Sequence, residues 1–393
     1  MPLRPPAGFI SANYDPLKVA DAPTIGTATG GDAQASVAFT APSNTGGSAI
    51  TAYYAVSNPG QVTASGASSP VTVTGLTNGT AYTFQVWALN SYGPSPYSAA
   101  SGSVTPASQR GLFAGTTASN RNTIQYITIT TTGNATDFGD LTTDTYAAGG
   151  CASTTRAIFG GGVRTGGATS NIIDYVTIAS VGNATDFGDL TVARYYVAAL
   201  ANATRGCFGG GRNISNVSSN VIDYVTIASS GNATDFGDLT VARLDLAGCG
   251  SSTRGVFGPA SASNVIDYIT IASTGNATDF GDAPFAAGTW GGCSSSTRGL
   301  FAGEDTGGKN SIIYITIATT GNSTDFGDLT VGRNGCAGLS SATRGVFGGG
   351  DAGGNSNIID YVTIATTGNA TDFGDLLNPG PYQAPASNCH GGL

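Results

Sequence analysis

Residues 182–189 read Gly-Asn-Ala-Thr-Asp-Phe-Gly-Asp, and this segment decides the fold because it recurs along the chain. It occurs six times at a mean spacing of 47 residues, with Ser in place of Ala in one copy. The copies begin at Gly133, Gly182, Gly231, Gly275, Gly321 and Gly368. A second signature, Arg-(Gly/Ala)-x-Phe, precedes them at Arg110, Arg156, Arg205, Arg254, Arg298 and Arg344. Repetition at this period indicates an array of equivalent structural units.

Each period has room for four short strands. In the third copy we place them at about residues 196–202, 206–210, 221–228 and 233–239, where β-branched and aromatic residues alternate with turn residues. Four strands in 44–49 residues is the size of a β-propeller blade. We therefore predict six blades, with residues ~382–389 supplying the inner strand of the first blade and closing the ring. A solenoid that does not close is the alternative.

The details of the repeat resemble kelch repeats. The Gly-Gly pair after the second strand and the aromatic residue in the third strand carry this resemblance. The chain departs from the kelch pattern near the fourth strand, where Phe138, Phe187 and their equivalents stand in place of the usual Trp. The resemblance implies a kelch-like six-bladed β-propeller over residues 106–393.

The N-terminal third lacks the repeat. Residues 21–105 contain alternating strands with turn residues every 8–12 positions, which predicts a β-sandwich. The series Gly75-Leu76, Tyr82-x-Phe84-x-Val86 and Asn90-x-x-Gly93 resembles the fibronectin type III family. The whole chain is therefore predicted to be all-β.

Residues 1–20 contain four prolines and precede the sandwich. A Pro-rich segment is extended and forms no core of its own. One interpretation is a disordered leader, and the other is an arm that orders when it docks on a larger assembly. The apolar residues available for docking are Phe9, Ile10, Tyr14 and Leu17.

Composition excludes several classes of function. The chain has 24 acidic and 15 basic residues, so its net negative charge disfavours nucleic-acid partners. No apolar run is long enough to cross a membrane, which argues against membrane insertion. The N-terminus has no secretory signal, so we expect synthesis and assembly in a cytoplasm.

Paired aspartates could act as the carboxylates of a glycosidase or bind calcium. A glycosidase needs only one catalytic pair, however, and this pair occurs six times. We predict a structural role: one Arg and one Asp pair in every blade suggest a repeated ion pair. The Asn-(Ala/Ser)-Thr triplets match a glycosylation pattern but are interpreted as turn residues. His390 is the only histidine, and no catalytic, cofactor or metal residues are predicted. The first aspartates of the six pairs are Asp137, Asp186, Asp235, Asp279, Asp325 and Asp372.

The two ends of the predicted blades differ. The 1–2 and 3–4 turns lie at one end, here named the turn end, and barely change among the copies. The 2–3 loops and the crossings between blades lie at the other end, here named the crossing end, and vary in length and composition. Diverse loops on a rigid scaffold are typical of a binding surface, although neutral drift is the alternative. The candidate contact residues for a glycan or protein are Tyr195, Tyr196, Arg212, Trp290, Lys309 and Tyr382.

The complete layout resembles virion proteins of tailed phages that infect marine cyanobacteria. The resemblance rests on the start Met1-Pro-Leu-Arg-Pro-Pro, the sandwich, the Asp-Phe-Gly-Asp repeats and the end Asn388-Cys-His-Gly-Gly-Leu393. It implies a non-enzymatic virion component, either a capsid decoration or a tail fibre, that docks on other virion proteins through residues 1–20. The alternatives are a receptor- or glycan-binding adhesin of a phage or bacterial surface, and a polysaccharide-cleaving enzyme.

Overall fold

The computed structural model describes residues 17–117, 121–286, 288, 291–303 and 310–393. Within these ranges the regular elements are 33 strands, and there is no α-helix. The chain divides into two compact units, Met1–Ser108 and Gln109–Leu393. The all-β prediction is therefore confirmed for the described part of the chain.

The N-terminal unit contains two antiparallel sheets, with strand orders β1-β2-β5 and β4-β3-β6-β7. Alternate residues of β2, β3, β5 and β6 point into a shared core, as expected for sheets with one solvated face. Val37, Phe84 and Val86 are fully buried there. The strands are β1 (Thr24–Gly31), β2 (Gln34–Thr40), β3 (Ala52–Asn58), β4 (Thr63–Gly66), β5 (Val71–Thr74), β6 (Thr83–Asn90) and β7 (Gly93–Pro94).

Serines at every third position take the place of a regular strand beside β6. The hydroxyls of Ser95, Ser98 and Ser101 each accept a hydrogen bond of 2.9 Å from a backbone N–H of β6. Their own N–H groups donate to carbonyls of β6 at 2.8 Å. A three-residue period is that of a polyproline II segment, which has no internal hydrogen bonds and needs such partners. The β6 residues involved are Phe84, Val86 and Ala88.

The C-terminal unit contains six four-stranded antiparallel sheets, numbered I to VI by the repeat that supplies strands two to four. Strands β11 and β14 form a separate two-stranded sheet. The strands are β8 (Arg110–Ala114), β9 (Thr123–Thr128), β10 (Thr136–Asp140), β11 (Thr145–Tyr146), β12 (Gly149–Ala152), β13 (Arg156–Gly160), β14 (Val163–Arg164), β15 (Ile172–Thr177), β16 (Thr185–Asp189), β17 (Ala198–Ala201), β18 (Arg205–Gly209), β19 (Val221–Thr226), β20 (Thr234–Asp238), β21 (Gly248–Gly250), β22 (Arg254–Phe257), β23 (Val265–Thr270), β24 (Thr278–Asp282), β25 (Gly291–Ser294), β26 (Arg298–Ala302), β27 (Ser311–Thr316), β28 (Thr324–Asp328), β29 (Ala337–Ser340), β30 (Arg344–Gly348), β31 (Ile358–Thr363), β32 (Thr371–Asp375) and β33 (Ala384–Ser387).

Sheet I joins the two ends of this unit. Its order is β33-β8-β9-β10, and β33 pairs with β8 from Ala384 opposite Ala114 to Ser387 opposite Gly111. The expected pairing of the C-terminal strand with the first repeat is therefore present. The inner strands contact one another in the series β12, β17, β21, β25, β29, β33, and β33 also contacts β12.

The repeated Gly-Asn-Ala triplet joins neighbouring sheets. Asn183 accepts a hydrogen bond through Oδ1 from the N–H of Asp140 at 3.1 Å, while its neighbour Gly182 donates to the carbonyl of Phe138 at 2.8 Å. The same pattern joins every successive pair of sheets, and the sixth bond joins Asn134 of sheet I to Asp375 of sheet VI. The interpretation of the triplets as turn residues is thus incomplete, because their side chains bind the preceding sheet.

This junction also explains a glycine of the repeated segment. Gly139 has φ +145°, and a Cβ there would lie 2.4 Å from the carbonyl oxygen of Gly182 in the next sheet. A side chain would separate the two sheets, so the segment reads Phe-Gly-Asp in every copy. The turn end is uniform because its residues hold adjacent sheets together.

Candidate functional site

The six repeat arginines do not form the ion pairs that the sequence suggested. Each guanidinium lies over a tyrosine of the third strand of its own sheet, with its Cζ 4.3–4.7 Å from the ring centroid. Each Nη1 also donates to a backbone carbonyl of the next sheet at 2.7–3.2 Å. The first aspartate of each repeated segment is exposed instead, because the buried Phe beside it takes the inward position of the strand. The arginines are Arg110, Arg156, Arg205, Arg254, Arg298 and Arg344, and the exposed carboxylates are Asp137, Asp186, Asp235, Asp279, Asp325 and Asp372.

The arginine–aspartate pairs of the described residues belong to another set, which the sequence reasoning missed. Arg194 lies 2.8 Å from Asp223, and both side chains are fully buried. Burial lowers the pKa of Arg194, and the charge of Asp223 opposes this shift. The equivalent pairs are Arg243 with Asp267 at 2.7 Å and Arg333 with Asp360 at 3.1 Å.

A signal for these pairs was present in the sequence. The arginines end a Thr-Val-(Ala/Gly)-Arg segment, and the aspartates lie in an Ile-Asp-Tyr segment one repeat later. In sheet V, Ile313 takes the aspartate position and Ala287 takes the arginine position, so the two residues are lost together. Residues that change together within one chain are expected to touch.

Asp174 of sheet II is the exception to this rule. Thr145 takes the position of its arginine partner, and the carboxylate accepts hydrogen bonds from the N–H of Thr142 at 3.0 Å and from its hydroxyl at 2.7 Å. Burial raises the pKa of Asp174, and the hydrogen bonds from Thr142 partly offset that shift. A buried carboxylate that forms no ion pair with the described residues thus lies between sheets I and II, and the nearby charge of Arg164 only partly opposes the rise in its pKa.

A cavity of about 130 Å³ lies among the inner strands of the six sheets. Glycine, alanine, cysteine and serine residues of β12, β17, β21, β25, β29 and β33 line it. At the turn end, residues 389–391 cross between sheets: His390 donates through Nε2 to the carbonyl of Ala152 at 2.8 Å, and Gly391 donates to that of Ser294 at 3.0 Å. The cavity is therefore covered at the turn end.

His390 is held in one neutral form by two bonds. Its Nε2–H donates to Ala152, and its Nδ1 accepts the N–H of Gly392 at 3.1 Å. Burial lowers the pKa of His390, while the carbonyl of Ala152 opposes the shift. The structure thus gives the single histidine a role in fixing the C-terminal segment.

The other mouth of the cavity lies at the crossing end. In five of the six repeats, a described residue two or three positions before the inner strand has a left-handed backbone here, with φ of +57° to +64°. Glycine takes the position once, as Gly335, but Tyr196, Asp245 and Tyr382 take it in three other repeats. A non-glycine residue in this conformation costs roughly 1–3 kcal/mol. Side chains are therefore kept at the mouth where glycine would be less strained.

Four of the six predicted contact residues form one cluster, of which Tyr196 and Tyr382 line the cavity at this mouth. The rings of Tyr195 and Tyr196 lie 4.9 Å apart, and the ring of Tyr382 lies 4.9 Å from that of Tyr196. The guanidinium of Arg212 lies over both Tyr195 and Tyr196, with its Cζ 4.8 and 5.5 Å from their centroids. We name these four residues the tyrosine cluster.

Asp245 borders the tyrosine cluster and was not predicted. It lines the cavity together with Tyr196 and Tyr382, and its Oδ2 accepts a hydrogen bond from Ser261 at 3.1 Å. Burial raises the pKa of the Tyr196 hydroxyl, and Tyr382 and Asp245 reinforce the shift. The mouth therefore presents the rings of Tyr196 and Tyr382 and the carboxylate of Asp245, and the guanidinium of Arg212 stacks on Tyr196 beside them.

Of the remaining predicted contact and docking residues, the structure describes only Leu17. Trp290 and Lys309 of the contact set and Phe9, Ile10 and Tyr14 of the arm lie outside the described residues. Leu17 is described and is 63% exposed. The described residues contain no group of three or more side chains that would hold a metal ion. Nor does that part of the chain contain a helix with the length and hydrophobicity of a membrane span.

The N-terminal unit has a feature that decides its family. Tyr82 immediately precedes β6, and its hydroxyl accepts a hydrogen bond from the backbone N–H of Thr77, five residues upstream, at 3.0 Å. This is the tyrosine corner of immunoglobulin-like sandwiches. Residues 21–103 match the family model described as the fibronectin type III domain. Residues 21–103 are a fibronectin type III domain.

The match confirms the predicted fibronectin type III nature of this segment. The fibronectin type III domain begins its packing slightly earlier than the match, because Ala20 belongs to its core. No curated protein matches the chain.

Proposed function

We propose that the chain is a non-enzymatic attachment and display protein of a phage virion. In this proposal the fibronectin type III domain is a spacer, and the C-terminal unit is a six-bladed, kelch-like β-propeller. The cyclic order of inner-strand contacts and the sixth bond between Asn134 and Asp375 support the propeller architecture. Other virion proteins are the proposed partners of residues 1–20, and the virion is the proposed location.

The observation that carries the attachment role is the difference between the two ends of the sheets: the turn end is uniform among the copies, and the crossing end varies. The turn end holds the bonds between sheets, so its sequence is constrained by the scaffold. The crossing end also carries contacts between sheets, such as the buried Arg194–Asp223 pair, but its loops vary in length and composition, and the tyrosine cluster lies there. Tyrosine and arginine are the residue types enriched in binding hot spots. A propeller that binds at this end needs no catalytic group.

The virion role is tested on particles of the phage whose genome encodes this chain. Gradient-purified particles are analysed by mass spectrometry, with the native gene or with codons for residues 2–16 deleted, which leaves the packed residue Ala20 in place. We expect the chain in native particles and its loss from particles of the deletion phage, while the deleted protein is still made and folded in the lysate. Native particles that lack the chain would contradict the proposal.

An adhesin is the second candidate, favoured by the aromatic rings at the mouth of the cavity. The labelled chain is titrated on host cells, with Tyr195→Ala as the test variant. Val181→Ser, at an exposed residue of the turn end, is the matched control. Saturable binding that Tyr195→Ala weakens and the control does not would favour the adhesin.

A further inference from the structure

We infer that the mouth of the cavity binds one terminal sugar of a neutral glycan, held by Tyr196, Asp245 and Arg212. This inference rests on the attachment function proposed above and names its ligand class. Carbohydrate sites need a flat apolar surface for the sugar ring and polar groups at its edge for the hydroxyls. The mouth brings both kinds of group together.

The backbone at the mouth indicates that these side chains are retained for a purpose. Tyr196, Asp245 and Tyr382 stand where the left-handed backbone favours glycine, and Gly335 shows that glycine is compatible with the same position. Residues held in such conformations cluster at functional sites, so the inference runs from observed strain to use. The hydrogen bonds from Tyr196 N–H to Ala147 and from Tyr382 N–H to Gly335 involve only the backbone, so they do not require these side chains.

The size of the cavity limits what enters it. At about 130 Å³ it is smaller than the pockets of about 300–1,000 Å³ that enclose drug-sized ligands. Since residues 389–391 cross the turn end, a chain cannot thread through. Only one substituent of a ligand enters, and the rest of the terminal sugar lies against the tyrosine cluster.

The charges at the mouth select a neutral sugar. The carboxylate of Asp245 accepts hydrogen bonds from hydroxyl groups and repels a carboxylate-bearing sugar at the same place. Arg212 donates hydrogen bonds, and its guanidinium is oriented by stacking on Tyr195 and Tyr196. Sugar hydroxyls both donate and accept, so a neutral sugar satisfies the two residues together.

The experiment uses the full chain and a panel of four probes: cellotetraose, maltotetraose, mannotetraose and tetragalacturonate. Binding is measured by titration calorimetry and by saturation-transfer NMR. We expect at least one neutral probe to bind. Tetragalacturonate is expected to bind roughly tenfold more weakly than that probe. A roughly tenfold change in affinity corresponds to the loss of one hydrogen bond to a charged group. Failure of all three neutral probes would overturn the inference.

Glycine variants test the mouth without demanding a new backbone. Asp245→Gly and Tyr196→Gly are expected to fold and to lose roughly tenfold or more in affinity for the neutral probe, by the same ratio. Asp245→Asn is expected to reduce the discrimination against tetragalacturonate. Gln61→Gly is the control, because it makes the same kind of change at an exposed left-handed residue of the fibronectin type III domain that does not line the cavity, and it should leave binding unchanged. Unchanged affinity in Tyr196→Gly and Asp245→Gly would refute the site.

The outcomes separate this inference from the proposed function. A chain that is present in particles but binds no neutral probe keeps the virion role and loses the glycan site. A chain that binds a neutral probe through Asp245 but is absent from particles keeps the site and loses the virion role. If Tyr196→Gly abolishes cell binding while no probe binds, the occupant is a protein and the glycan inference is wrong.

Discussion

Asp223→Asn and Asp174→Asn are the same substitution at equivalent positions of adjacent sheets, and we expect them to change stability in opposite directions. In sheet III the carboxylate lies 2.8 Å from Arg194, and both side chains are fully buried. Asparagine removes the negative charge and presents a neutral amide group to the guanidinium. Arg194 is then left buried without a counter-ion. Breaking a buried pair in this way costs about 3–5 kcal/mol.

In sheet II the same change removes a buried charge that has no ion-pair partner among the described residues. The amide oxygen of asparagine still accepts the hydrogen bonds that Thr142 donates to Asp174. Because the pKa of Asp174 is raised by burial, the native state favours the protonated acid, and stability at neutral pH is reduced by the ionised form. Asp174→Asn is therefore expected to stabilise the protein at pH 7. This gain should shrink as the pH falls towards the ordinary value of 3.8, where the native acid is itself neutral.

Differential scanning calorimetry measures both effects in one chain, since the fibronectin type III domain provides an internal reference transition. At about 2–4 °C per kcal/mol for large domains, Asp223→Asn should lower the melting temperature of the C-terminal unit by roughly 6–20 °C. The double variant Arg194→Leu with Asp223→Ile replaces the whole pair with apolar residues and should recover most of that loss. If Asp174→Asn lowered the melting temperature as much as Asp223→Asn, the reasoning would be refuted. Such a result would mean that a buried carboxylate is equally stabilising with or without an arginine partner.

Four further results are expected. Asn232→Ala removes the hydrogen bond to the N–H of Asp189 and should lower the stability of the C-terminal unit by about 1 kcal/mol in urea unfolding, whereas no change would show that this junction is dispensable. His390→Gln should reduce the loss of stability between pH 7.5 and 5, because the lowered pKa of His390 makes its contribution present above the ordinary value of 6.5 and lost as the pH falls; an unaltered pH profile would contradict this. Burial raises the pKa of Cys207 to about 12, so iodoacetamide at pH 8 should label this thiol only after denaturation, and rapid labelling of the native chain would count against the structure. Tyr82→Phe should destabilise the fibronectin type III domain by about 1 kcal/mol and leave the second transition in place; a shift of both transitions would show that the effect is not local.

The sequence predicted the strands of each repeat because both signatures recur with a fixed spacing. The third copy illustrates this: strands expected at about 196–202 and 221–228 are observed at Ala198–Ala201 and Val221–Thr226. The fibronectin type III domain was predicted from one series of residues around Tyr82, since that series encodes both the alternation and the corner.

The wrong prediction has a physical cause. Each repeat contains one signature arginine and one aspartate pair. We therefore inferred an ion pair between them from their residue types alone. The strand alternation that buries Phe187 turns Asp186 outward, whereas Arg156 lies over Tyr175. Partners that lie in neighbouring sheets are set by how the sheets pack, which a single period does not encode. Asp245 was missed for the same reason, since only the fold brings it beside Tyr196.

The composition of sheet I has a consequence for synthesis of the chain. Strand β8 leaves the ribosome about 270 residues before its partner β33, so the backbone groups of β8 that pair with β33 remain unpaired for roughly 15–55 s at the usual rate of translation. An unpaired strand edge is a template for association with other chains. Crowded polysomes are thus the place where this protein is most prone to exchange strands between copies, and the delay falls on nascent chains rather than on finished molecules.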